Sequence, residues 1–189
     1  MPSIKSTWSM KRKISFIFSD KLYFMPAPAL IKLYTGAPYS HVAMGYFDSV
    51  TSQEMLAESS NGEFHKITRQ NWLAKNRVIH EVEYWLPEDQ YYVVMRHVNN
   101  HLQLDYSFKN ILGIPLYDLY EKTGLTLFKR LAYLFHDKAA AVICSESVGF
   151  ILAILGVQFT RPLDFLRPTD IYRAVEKLEV THGKVFHDF

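Results

Sequence analysis

Two periodicities divide the chain. Between residues 40 and 85, apolar side chains recur at alternate positions, the period of a half-buried strand. Residues 40–47 place His41, Ala43, Gly45 and Phe47 on one side and Val42, Met44 and Tyr46 on the other. Residues 54–59 read as a second strand. Asn61-Gly62 is a hairpin signal leading into a third over residues 64–67. Residues 78–85 alternate again, with Val78, His80, Val82 and Tyr84 sharing a face. Four strands in so short a span predict an antiparallel sheet. Ahead of them, the apolar stretch 14–18 is broken by Ser19, Asp20 and Lys21. Residues 29–34 predict a short helix ended by Gly36, with Gly36-Ala37-Pro38 as a turn.

Beyond residue 87 the period becomes helical. Pro87-Glu88-Asp89 makes a good first turn, and Tyr91, Val94, Met95, Val98 and Leu102 follow at helical spacing. Residues 105–120 mix aromatics with Gly113 and Pro115 and predict a loop with short helical pieces. Further helices are expected over 126–135, from Cys144 to Gly156, and over 171–178 behind Arg167-Pro168-Thr169-Asp170. The expectation is one α+β domain over 1–189, its antiparallel sheet packed on the helix that Cys144 opens, with residues 1–13 a basic N-terminal arm.

Composition narrows the function classes. The 189 residues are 49% hydrophobic and 21% charged, enough for an ordinary core. Aromatics reach 15%, which suits a packed core or an apolar cleft alike. A net charge of +2 is too small to argue for nucleic acid over the whole surface, and no nucleic-acid partner is expected. One cysteine excludes an internal disulfide framework and any multi-cysteine zinc site, and fits a reducing compartment. Lys5, Lys11, Arg12 and Lys13 precede too short an apolar stretch for a secretory segment, and no run has the length of a membrane span. A soluble cytoplasmic protein is expected, with the basic arm able to touch a membrane surface.

Cys144 lies in Ile143-Cys144-Ser145-Glu146-Ser147, at the start of the predicted helix. Backbone N–H groups and the helix dipole favour a thiolate there. The plainer account is a small buried hydrophobe, as free cysteines commonly are. A nucleophilic thiol needs a base, and the base needs an orienting partner. If the first two strands pair as a hairpin, His41, early on one, and Glu58, late on the other, become neighbours. A helix start packed over their face would bring Cys144 to His41. Glu54 and Glu63 compete with Glu58 if the register slips by an even step.

Five motifs in order resemble the circularly permuted NlpC/P60 group of papain-like thiol hydrolases. That group includes the YiiX/YaeF-like amidases and, more distantly, the lecithin–retinol acyltransferase-like proteins. Pro38-Tyr39-Ser40-His41-Val42-Ala43-Met44 resembles its histidine strand, and Leu56-Ala57-Glu58-Ser59 with Gly62 the strand after it. Leu104-Asp105-Tyr106-Ser107-Phe108 resembles the segment ahead of the cysteine. Ile143-Cys144-Ser145-Glu146-Ser147-Val148 is similar to the nucleophile helix, and Arg167-Pro168-Thr169-Asp170-Ile171-Tyr172 to the closing motif. Ser147 and Leu104 depart from the pattern, where an aliphatic and an aromatic residue are usual.

The resemblance implies a permuted papain-like fold and a thiol hydrolase that cleaves an amide or ester through an acyl-cysteine. Cys144 is then the nucleophile, His41 the base and Glu58 its orienting partner, with Tyr39, Ser40, Asp105, Tyr106 and Ser145 near the substrate. The substrate is a small-molecule, peptide or lipid acyl compound, and neither cofactor nor metal is expected. An acyltransferase of the same mechanism acting on lipid, or a binding protein without turnover, are the alternatives. A lipid substrate predicts an apolar groove near Tyr39 and Phe108. Glu146 reads as a first-turn charge that complements the dipole. His97 and His101, spaced i, i+4, lack the glutamate of a metalloprotease helix and read as exposed surface histidines.

Overall fold

The computed structural model describes residues 11–23, 25–60, 62–102, 104–106, 108–135, 141–178 and 184–188. In chain order the elements are β1 (Lys11–Lys21), α1 (Pro26–Thr35), β2 (His41–Asp48), β3 (Gln53–Ser60), β4 (Glu63–Thr68), α2 (Arg69–Leu73), β5 (Asn76–Pro87) and α3 (Glu88–Asn100). They continue with β6 (Asp105–Tyr106), α4 (Phe108–Thr123), α5 (Thr126–Leu134), β7 (Ala141–Val142), α6 (Cys144–Ile154), a 3-10 turn (Leu163–Phe165), α7 (Pro168–Lys177) and β8 (Lys184–Asp188). The fold is mixed α/β. The sheet runs β7-β6-β4-β3-β2-β1-β5-β8, antiparallel throughout except between β6 and β7.

The four predicted strands form within a residue or two of their expected limits. Ser60 pairs with Glu63, and Gly62 takes φ +100°, as the hairpin signal requires. The prolines of the first turn let α1 begin at Pro26, three residues before the predicted start, and Gly36 ends it at φ +68°.

Two differences from expectation bear on how the sheet and helices pack. Lys11, Arg12 and Lys13, read as the end of a basic arm, begin β1, the strand between β2 and β5; residues 1–10 lie outside the described residues. Both faces of β1 are buried: Ile14, Phe16 and Phe18 join one core and Ile17 the other. Burial on both sides removes the alternation that would have marked a strand. Lys13 is anchored laterally, its Nζ lying 2.7 Å from Glu83 Oε1. The second difference is α4, a continuous helix where a loop with short pieces was expected. Gly113 lies where α5 approaches: a Cβ there would sit 3.1 Å from the Ala132 carbonyl oxygen and 3.1 Å from the Phe165 ring. The glycine serves close packing, and tertiary contact overrides its low helix propensity.

One core joins α6 to the sheet. Val148, Ile151 and Leu152 pack with Val42, Met44, Ala57 and Phe64, and α3 and α7 extend the layer through Val94, Val98, Ile171 and Val175. Each fully buried aliphatic side chain contributes about 1.5–3 kcal/mol. The opposite face is smaller: Ile17, Ala43, Leu56 and Val78 beneath Trp72 of α2. Among the described residues no helix is long and apolar enough to cross a membrane.

Candidate active site

The site forms where the β2–β3 ladder stops. The register runs from Asp48↔Gln53 to Met44↔Ala57 and ends there, although β2 continues back to His41 and β3 forward to Ser60. Beyond that point β2 pairs with β1, and β3 with β4. Where the β2–β3 ladder is open, the Val42 main-chain N–H donates to Cys144 Sγ.

His41 and Glu58 share the Trp72 face of the sheet, and His41 Nε2 lies 2.6 Å from Glu58 Oε2. Glu58 is fully engaged. Trp72 Nε1–H donates to Oε2 at 2.7 Å, Ser60 Oγ–H donates to Oε1 at 2.7 Å, and His65 Nε2 lies 3.5 Å from Oε1. Because Nε2 is taken by Glu58, Nδ1 is the ring nitrogen that meets the thiol, to which His41 is hydrogen-bonded. Expectation and structure part over the helix. α6 covers the opposite face, that of Val42, Met44 and Ala57. Cys144 reaches His41 because it is the first residue of α6 and enters where the ladder is open.

Electrostatics link the three groups. Burial alone would raise the Cys144 thiol. The His41 charge, its hydrogen bond and the N–H groups of Val42 and Ser145 outweigh burial and hold the thiol below its ordinary value. Burial would likewise lower His41, but the Cys144 thiolate and the Glu58 carboxylate raise it well above its usual range. Glu58 resists burial in the same way, kept far below a normal carboxylate by the His41 charge and by hydrogen bonds from His41, His65 and Ser60. Each of the three groups thus favours the charged form of its neighbour.

Behind the cysteine, Glu146 is buried rather than solvated. Its Oε2 accepts from the Ile143 N–H at 3.3 Å and from Asn110 Nδ2 at 3.4 Å, so it caps the helix start from inside. Burial, with Asp164 beside it, raises its carboxyl to about 7. Ser145 donates its hydroxyl to the Leu166 carbonyl at 2.5 Å and its main-chain N–H to Cys144 Sγ.

The expected substrate-side residues divide. Ser145 lines a cavity that reaches Cys144, while Tyr39 and Ser40 do not. Tyr39 packs among Phe18, His80 and Tyr172, and the Ser40 hydroxyl lies 3.0 Å from Asp20 Oδ1. Asp105 is exposed in β6, paired through its backbone with Glu63 and Ala141. The side chains of Tyr106 and Phe108, and Ser107 altogether, lie outside the described residues. His97 and His101 are partly buried, their rings 3.9 Å apart and packed against Phe150. Among the described residues no group of three or more His, Cys, Asp or Glu is placed to hold a metal ion.

Sequence reasoning missed the cavity. Its volume is about 240 Å³, and Leu30, Ile31 and Tyr34 of α1 wall it against Ile111, Ile114 and Pro115 of α4, with Ile143, Cys144 and Ser145 at its floor. An apolar groove near Tyr39 and Phe108 was expected for a lipid substrate alone; this cavity lies between helices α1 and α4, and Tyr39 does not line it. Polar contacts hold those walls in place. Tyr34 donates its hydroxyl to Asp118, and Asp118 also receives Arg161 and Arg167. Arg161 further engages Glu121 and Asp170, tying α4 to α7.

No family model matches this chain, and no curated protein sequence matches it significantly.

Proposed function

We propose that the chain is a thiol hydrolase that cleaves esters or amides of apolar acyl groups through an acyl-cysteine. The observation that carries this reading is the hydrogen-bonded chain Cys144–His41–Glu58, with two main-chain N–H groups on the sulfur. The resemblance to the permuted NlpC/P60 group supports it, since a cysteine helix on an antiparallel sheet is the arrangement which that resemblance implies.

The Cys144 thiolate attacks the carbonyl carbon, and the carbonyl π pair moves onto oxygen. In this reading the Cys144 N–H, at the first turn of α6, stabilises that oxyanion. Collapse breaks the bond to the leaving group, which takes its proton from the His41 imidazolium. His41, now neutral, takes a proton from water as the water attacks the thioester. Acid is released and the thiolate–imidazolium pair is restored. Glu58 holds the ring through Nε2 and stabilises its charge. The cavity supports an apolar acyl substrate: its walls suit the acyl chain, and its volume falls below the ~300 Å³ of typical ligand pockets, which favours a short or medium chain.

Thiol labelling tests the reading against a binding protein without turnover. Iodoacetamide should modify Cys144 of the folded protein near neutral pH, and His41→Ala should slow it by roughly ten-fold or more. Labelling that occurs only after denaturation would sink the proposal. With a panel of acyl esters, Cys144→Ala should lower kcat/KM by about a thousand-fold or more.

A further inference from the structure

The cavity at Cys144 has an apolar mouth. Leu30 and Tyr34, which line it, are themselves 49% and 37% exposed, so the apolar wall continues to the surface. Leu33 stands beside them on α1 and is 83% exposed. On α4, at ~100° per residue, Leu112 and Leu119 fall between two flanks. One flank carries Ile111, Pro115 and Asp118, which meet the cavity and α1. The other carries Gly113, Leu116 and Tyr120, on the side of α5. Both leucines are exposed, so an outward apolar strip joins the cavity mouth to α5. Helix α5 adds exposed Leu127 and Leu134, opposite its buried Ala132.

Charge distinguishes this strip from an ordinary protein interface. Of the acidic residues of α4, Asp118 is buried and Glu121 is exposed, and both are paired with Arg161. Lys122 and Arg130 are exposed alongside the leucines. The face therefore offers leucines flanked by cations, the pattern of an interfacial helix on an anionic bilayer.

We infer that the α1–α4–α5 face docks on the surface of an anionic phospholipid bilayer, with the cavity mouth turned toward the lipid. Leucines enter the headgroup boundary, cations meet lipid phosphates, and an apolar acyl chain passes to Cys144 without crossing water. The delivery step rests on the proposed thiol chemistry, whereas the docking does not.

Vesicle sedimentation reads docking alone. The full chain should pellet with sucrose-loaded vesicles of phosphatidylcholine and phosphatidylglycerol, and pellet much less with phosphatidylcholine vesicles. Leu33→Glu should weaken binding about ten-fold or more. Arg130→Ala should weaken it about five-fold, and salt should mimic that loss. Cys144→Ala should pellet as the parent does. A chain that labels at Cys144 but binds no vesicles refutes the docking and spares the chemistry; one that binds vesicles but never labels does the reverse. Equal binding to both compositions would overturn the inference. So would a stable dimer in sedimentation velocity that Leu33→Glu dissociates, since the face would then cover a second copy.

Discussion

The two sides of Cys144 are built on opposite terms. Toward the sheet lies a closed polar knot, in which Glu58 is 2% exposed and each carboxylate oxygen has two partners. Toward α1 and α4 lies an open apolar cavity whose walls reach the surface. The polar side tolerates almost no change, because a buried charge left unpaired is costly. The apolar side depends on volume and shape and absorbs change readily. Cys144 is thus held by polar contacts from one direction and lines the apolar cavity on the other.

Removing Glu58 should separate the two sides most sharply. Glu58→Ala leaves the His41 ring and the Trp72 N–H without their acceptor and should cost about 3–5 kcal/mol in urea unfolding. Glu58→Gln keeps an acceptor for Trp72 and should cost less, while still slowing thiol labelling. A loss as small as that of an exposed residue would show the knot to be looser than its geometry.

Acid should act on the same side with a smaller effect. The folded-state value of Glu58 lies below its ordinary 4.5. Its stabilisation is therefore complete above that value and is lost as pH falls through the folded value. Stability should decline on acidification below about pH 4.5, and Glu58→Gln should flatten that limb. His41 has the opposite sign: its raised value contributes stability in full below its unfolded 6.5 and loses it as pH rises. An acid limb unchanged by Glu58→Gln would assign the loss to other carboxylates.

The apolar side should respond in selectivity rather than in stability. Ile111→Trp, which fills the cavity, should lower kcat/KM for longer acyl esters by about ten-fold relative to acetyl esters. Iodoacetamide labelling should stay close to that of the parent. An equal loss on every ester would mean that the indole disturbs Cys144 rather than the acyl chain.

The same division explains what could be read from the chain. His41 and Glu58 lie on strands whose period and hairpin turn fix their side, and Cys144 is marked by the helix start. All three are local signals, and the structure brings these groups together. The face covered by α6 could not be read, because alternation says which residues share a side but not which side a helix will cover. The cavity could not be read, since its walls come from α1 and α4, about eighty residues apart in the chain. Gly113 and Pro115 gave α4 the appearance of a loop. Trp72 and Ser60 carried no signal of their own, because their role appears only once Glu58 is buried.

The broken rung between β2 and β3 gives part of the site an unusual genetic security. One donor to the sulfur is the amide of residue 42, which every amino acid but proline supplies. Side chains at that position can drift with the core, and the contact survives them. Only Val42→Pro, or a strand slip that closes the ladder, would take it away.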